Sequence, residues 1–355
     1  MGGLQRIEER GGTGPLAGKR FRIERSTPAS RRFAWVALAV VVTLILLPVW
    51  GGSEPMRLIA EMSTFLALAI LWNLLAGYAG LVSIGQQAFV GLGGYAMYVF
   101  TVMLGMHPLP GLLLVGVFTA LVSPVIAVAV FRLRGAYFAI GTWVVAEILR
   151  LLIEQSPWLG GGSGLTLTPA VLRALSPTRS GREMAIYWIS LGIVLIVLGV
   201  VYLLQRSRLG IALTAIRDSE PASQSLGVNT YQAKFVVYIV VAFFTGIVGG
   251  LILLQKLRIS PASGFSLDDW TVVVIFMVVV GGIGTMEGPI IGMVIYFVLR
   301  QLLADYGTWY MMMMGLVAVL IMLKAAKGIW GFVSEHYDLH LFPVRRTFVR
   351  LDAPK

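Results

Sequence analysis

Two stretches of the sequence gather residues able to hold a small polar solute. Gly77 to Tyr95 sets Ser83, Gln86, Gln87 and Tyr95 among glycines, and Gly281 to Gly292 sets Thr285 and Glu287 around Gly282, Gly284, Gly288 and Pro289. Hydroxyl, amide and carboxylate groups in this pattern recognise by hydrogen bonding; no serine, histidine and carboxylate arrangement suggests bond cleavage. Cysteine is absent, which removes disulfides, thiolate metal sites and a thiol nucleophile. His336 and His340, four apart beside Glu335 and Asp338, have helical spacing for a metal but no further ligands. Gly14 to Arg20 imitates a phosphate loop, but Thr13 and Arg20 stand where that motif needs glycine and Ser or Thr, and no strand precedes it. Met311 to Met314 reads as packing.

The elements that must position these groups are bilayer-crossing helices. Of 355 residues, 57% are hydrophobic and only 13% charged, against roughly 25% charged in soluble domains. The apolar residues fall into blocks long enough to cross a hydrocarbon core of ~30 Å as helices. Ten spans are expected: Phe33 to Trp50, Arg57 to Ala76, Leu81 to Leu104, Gly111 to Phe131, Gly135 to Ile153, Ile186 to Leu204, Phe235 to Lys256, Trp270 to Gly281, Pro289 to Leu303 and Trp309 to Leu323. The fold class is therefore an all-α polytopic membrane protein with Gly-rich interrupted segments. Residues 1–32 form an N-terminal extension, 33–323 the membrane domain and 324–355 a C-terminal tail. The first apolar run is longer than a signal-peptide core and lacks a cleavage site, so it reads as a retained span.

Positive charge beside the spans sets orientation. Lys19 to Arg32, Arg132 and Arg134, Arg206 to Arg217, and Lys324 to Arg346 all fall on one side by alternate counting, which places both termini in the cytoplasm. Of the basic clusters, only that of Arg173, Arg179 and Arg182 falls outside. The net charge of +11 is thus spread over span ends and tails, matching lipid headgroups and not nucleic acid. Trp50, Trp158, Trp188, Trp270 and Trp309 lie near external span ends, as interfacial rings would. Within spans, Glu147 and Arg150 are three apart and read either as a neutralised pair or as pathway residues, while Glu61 sits near an external end and reaches water. Gly246 to Gly250 and Gly288 to Gly292 permit close helix approach.

Unwound backbone at membrane depth is tolerated only in protein or against a cavity, and paired Gly/Pro-interrupted segments in two halves point to a transport pathway. Tight packing is the other reading of the same glycines. Between spans six and seven, the loop 205–234 contains Ser219 as a helix cap, Pro221 in a first turn and Gly227 as a left-handed end, which outlines a helix from Glu220 to Leu226.

Gly80, Ser83, Gly85, Ala88, Phe89, Gly91, Gly93 and Tyr95, read in their order, closely resemble a hallmark of the LivM-type permeases of branched-chain amino acid ABC importers. Further matches follow in family order: Arg134, Tyr137, Phe138 and Thr142 through Glu147; Gly161, Ser163, Gly164 and Leu165; Ser207, Gly210 and Ala215 through Glu220; then Gly281, Gly282, Gly284, Thr285, Gly288 and Pro289. The resemblance runs from about Leu71 to Leu323. It implies a multi-pass protein of the bacterial inner membrane that carries branched-chain amino acids, or a related solute such as urea, an amide or an aromatic acid. The loop helix then corresponds to the coupling helix, with Arg217, Asp218 and Glu220 as polar contacts around the small seating residues Ala222, Ser223 and Ser225, and Gly227 at its end. The implied partners are a homologous second permease (LivH-like), two ATPase subunits (LivG/LivF-like) that hydrolyse ATP, and an external solute-binding protein; this chain itself binds no cofactor. A stand-alone secondary transporter or channel is the alternative, and an intramembrane enzyme ranks last for want of a polar cluster at one membrane face.

Overall fold

A computed structural model describes residues 21–24, 28–303, 309–325, 327–337, 341–342 and 347–350. The Gly14 to Arg20 run and His340 lie outside the described residues. The helices are α1 (Pro28–Trp50), α2 (Ser53–Asn73), α3 (Gln86–Tyr98), α4 (Pro108–Val130), α5 (Ala136–Glu154), α6 (Pro169–Leu175), α7 (Arg179–Arg206), α8 (Arg208–Asp218), α9 (Glu220–Ser225), α10 (Thr230–Lys256), α11 (Pro261–Gly264), α12 (Val273–Gly281), α13 (Gly288–Leu303), α14 (Trp309–Lys324) and α15 (Gly328–Tyr337). Wider π-type turns extend α2 to Tyr78 and α3 to Met103, and one over Leu267–Val272 leads into α12. Two short antiparallel pairs complete the fold: β1 (Phe21–Glu24) with β4 (Thr347–Arg350), which joins the two tails, and β2 (Leu165–Thr166) with β3 (Arg258–Ile259).

Eight helical stretches among the described residues are long and apolar enough to cross a bilayer, against the ten expected. The other two are residues 86–103, whose apolarity Gln86, Gln87 and three glycines dilute, and the 16-residue α13. The third expected span is corrected at its start, because Leu81 to Gly85 is not helical and α3 begins only at Gln86.

Helix α2 forms the inner pillar, with Leu68, Leu71, Trp72 and Leu74 buried, and packs against α7, α10, α12 and α13. Helix α10 lies against α3 and α4. A methyl group on Gly93 would run into the carbonyl of Gly246, and one on Gly249 into the carbonyl of Val90, so these backbones touch directly. The Thr119 hydroxyl reaches across from α4 to the Ala242 carbonyl at 2.9 Å. Small residues drive helix association in lipid by such contact, since no hydrophobic gradient separates helix from solvent there.

The ends of the helices sort into two groups. At one end Arg217 reaches Gly77, Gly282 lies against the Lys327 backbone, and Phe131 packs edge-on to Tyr231 at 5.8 Å. At the other, His107 contacts the Ala174 carbonyl, Arg57 pairs with Glu183, and Arg258 reaches the Ser163 carbonyl. The loops carrying the basic clusters at Arg132, Arg206 to Arg217 and Lys327 therefore share one end, as alternate counting requires. Arg179, in the exceptional loop, pairs with Glu183 at 3.2 Å. Trp50, Trp158 and Trp309 are exposed near span ends, but Trp270 is 3% exposed: its indole donates to the Ser263 carbonyl and stacks on Phe65, so it is a core residue and not an interfacial anchor. Glu61 likewise does not simply reach water. It pairs with Arg300 of α13 at 2.7 Å.

Candidate functional site

The chain leaves α2 at Tyr78, reverses at Gly80 (φ 68°), and runs back beside the helix it has just left. Trp72 donates from its indole to the Ser83 carbonyl at 2.8 Å, and the Gln86 amide donates to the Leu68 carbonyl at 3.0 Å, so residues 81–86 climb about two turns of α2. The backbone at Ile84 is held by the Thr142 hydroxyl of α5 at 3.1 Å, and Gly85 lies so close to the Thr142 carbonyl that no side chain fits. Unwound backbone thus enters the interior of the helical bundle, and α3 starts inside it. Protein neighbours satisfy the freed groups, the condition for irregular structure at membrane depth.

The expected pathway residues other than Tyr95 fall into two nests. Ser83, Gln86 and Gln87 are buried in the first; Tyr95, also buried, lies more than two turns further along α3, stacked on Phe265. The Ser83 hydroxyl accepts from Gly85 N at 3.2 Å; Gln87 accepts from the Thr271 hydroxyl through its side chain and donates to the same oxygen from its backbone. Gln86 Oε1 and the Tyr95 hydroxyl have no hydrogen-bond partner among the described residues. In the second nest the Thr285 hydroxyl donates to the Gly282 carbonyl at 2.8 Å and accepts from Gly288 N at 3.0 Å, which closes the turn before α13. Glu287, 8% exposed, accepts from Phe342 N in the C-terminal tail at 3.0 Å. Thr285 and Glu287 do not share a nest with Ser83, Gln86 and Gln87. Thr285 acts as a turn lock.

Asn73, at the end of α2, joins the two glycine-rich breaks. Its Oδ1 accepts from Gly284 N at 2.8 Å and its Nδ2 donates to the Thr285 carbonyl at 2.7 Å. A methyl on Gly77 would stand 2.5 Å from Gly284 N. Beside this junction Arg217 of α8 donates from Nη1 to the Gly77 carbonyl at 3.4 Å, while its Nε and Nη2 face Asp218 Oδ1 at 3.3 and 3.2 Å. Sequence reasoning missed Asn73 and Thr271. Asn73 carried a signal, as the amide in the otherwise apolar run from Leu66 to Ala76.

The loop helix forms where its caps place it. Ser219 accepts from Ala222 N at 3.4 Å, Pro221 occupies the first turn, and Gly227 takes φ 83° after Leu226. An additional helix, α8, precedes it, capped by Ser207. Glu220 pairs with Lys234 of α10 at 2.7 Å and so fastens α9 to the start of that helix. Ser223 is 1% exposed and donates to the Glu220 carbonyl at 2.8 Å; it supports the turn from within and is not part of its outer face. That face consists of Pro221, Ala222, Gln224, Ser225 and Leu226, the last 83% exposed.

Residues 55–323 match the family model described as branched-chain amino acid transport system / permease component. The high-affinity branched-chain amino acid transport system permease protein LivM of Salmonella typhimurium is 28% identical over 330 residues, covering 86% of this chain and 76% of that protein. LivM of Escherichia coli is 28% identical over 329 residues, with the same coverage. A probable branched-chain amino acid transport permease protein LivH of Methanocaldococcus jannaschii is 24% identical over 262 residues, covering 69% of this chain and 82% of its own length. No solved structure matches the chain.

Proposed function

Because the chain belongs to the family of branched-chain amino acid transport permease components, we propose how this membrane-spanning permease subunit is worked. It is a LivM-type, multi-pass transport subunit and not an enzyme. It forms, with a homologous second permease, the passage through which branched-chain amino acids enter across a bacterial inner membrane. Two separate ATPase subunits hydrolyse ATP, an external binding protein delivers the solute, and this chain holds no nucleotide of its own.

The observation that carries the mechanism is the position of Arg217. The guanidinium sits one turn before α9 and touches the Gly77 carbonyl, where Asn73 ties the first glycine-rich break to the second. A partner that grips Ala222 and Leu226 moves α9; Glu220–Lys234 passes that movement to α10, and Arg217 passes it to the junction of α2 with the turn at Gly282 to Thr285. Both breaks then shift together, because packed elements rearrange between discrete arrangements and do not stretch. Ser83, Gln86 and Gln87 lie on the unwound segment that such a shift displaces.

The experiment is reconstitution of the chain with a second permease, the ATPases and the binding protein in vesicles. ATP-dependent accumulation of labelled leucine, abolished by leaving out the ATPases, is the expected result. Robust, ion-gradient-driven uptake by the chain alone would replace this reading with a secondary transporter.

A further inference from the structure

The family match ends at Leu323, and the chain beyond it lies against the second glycine-rich break. Helix α15 packs on α12, α13 and α14. Its first residue touches the break itself: a methyl on Gly328 would stand 2.5 Å from Gly282 Cα, and one on Gly282 would stand 3.3 Å from the Lys327 carbonyl oxygen. Gly328 and Gly282 take φ 75° and 138°, a conformation that a side chain would strain. Buried Trp330 backs this contact, with its Cβ 3.4 Å from a methyl placed on Gly282.

Past α15 the chain reaches the other end of the break. Phe342 donates its backbone N–H to Glu287 Oε1 at 3.0 Å, and the Glu287 carbonyl accepts from Ile290 N and Ile291 N at 3.1 Å, so the residue held is the one that opens α13. The Phe342 ring stands edge-on to Phe33 of α1, with centroids 5.3 Å apart, and tilted against Tyr202 of α7 at 6.3 Å. A hydrogen bond to a carboxylate and two aromatic contacts thus fix one residue against three helices. Further on, β4 pairs with β1, the strand that precedes α1. The parts of this strap, β1, α1, α15, Phe342 and β4, all lie outside the residues that the family model matches. Asn73 reaches the middle of the break at Gly284 and Thr285, whereas the tail holds its two ends at Gly282 and Glu287. A shift passed to the break through Asn73 therefore works against the bond from Phe342 to Glu287.

We propose that α15 and Phe342 form an autoinhibitory strap: seated on Gly282 and Glu287, they hold the second break in this arrangement, and release of Phe342 lets the break shift more often. The inference rests on the permease reading and adds a brake to it.

The full complex of this chain with the second permease, the ATPases and the binding protein tests it in two readouts. Phe342→Pro removes the N–H donor and the ring together; Phe342→Ala removes the ring alone. Amide exchange at Gly288 and Ile290 should quicken about tenfold or more in the proline variant, which loses a bond to a carboxylate, and about threefold in the alanine variant. A break that opens more often puts more of the complex in the shifted arrangement, so ATP hydrolysis without binding protein should rise in the same order, by about threefold or more with Phe342→Pro. A strap that only holds the fold together would quicken exchange and leave hydrolysis unchanged or reduced; that result, or unchanged exchange in both variants, overturns the proposal. Where the proline variant fails to assemble, the alanine variant decides by the same two signs. Uptake by the unaltered complex reports separately on the permease reading.

Discussion

Replacing Asn73 by leucine keeps the branching of the side chain and removes both bonds that join the two glycine-rich breaks. A net hydrogen bond contributes about 0.5–1.5 kcal/mol, and a buried partner left unsatisfied costs about 1–3 kcal/mol. Losing the acceptor for Gly284 N and the donor to the Thr285 carbonyl therefore destabilises the closed turn by about 2–6 kcal/mol. The Thr285–Gly282 and Thr285–Gly288 bonds survive and keep the loss at the lower part of that range. At 1.4 kcal/mol per factor of ten, opening of the turn becomes at least roughly 30-fold more frequent. Amide exchange in the 282–288 segment reads this directly in detergent-solubilised protein, where Asn73→Leu should accelerate Gly284 while the amides of α10 stay protected. Unchanged exchange at Gly284 in a folded variant would refute the claim that Asn73 holds the breaks together.

Three further outcomes follow from the same contacts. Gly93→Val forces a side chain against the Gly246 carbonyl, an overpacking worth about 1–3 kcal/mol, and should lower the melting temperature clearly; Gly199→Ala, where an added Cβ meets nothing within 4 Å, should leave it unchanged or slightly raised. Arg217→Gln should cut ATP-driven uptake more than tenfold while the ATPases still co-purify; uptake near wild type would remove Arg217 from the relay. Glu61→Arg and Arg300→Glu should each lower the melting temperature and together recover most of the loss, because the pair spans α2 and α13; additive losses would show that the pair does not couple those helices.

The spans were legible because lipid demands long apolar runs; their ends fell within a turn of the expected places, while the starts of α1, α3, α7 and α10 lie five to seven residues from those expected. The turn at α9 was legible for a different reason: Ser219, Pro221 and Gly227 are local signals, and caps act over three or four residues. What failed was information held across the fold. Leu81, Val82 and Ile84 read as the start of a span, although this segment is not helical and neighbouring groups hold its backbone; apolarity alone does not separate a helix from an unwound segment held by protein. Trp270 resembled an interfacial ring until Phe65 and Lys256 were seen to enclose it. Glu61 lacked its partner because Arg300 is 239 residues away. Ser223 looked like part of a docking surface since small residues suit one, yet the helical phase of α9 turns it inward.

The central claim is that a separate motor grips α9 from the cytoplasm. A single cysteine at Ala222, exposed on that turn, should react with an impermeant thiol reagent in inside-out vesicles and not in intact spheroplasts, and bound ATPase subunits should shield it. Labelling from the periplasmic side, or equal labelling with and without the ATPases, would contradict the account.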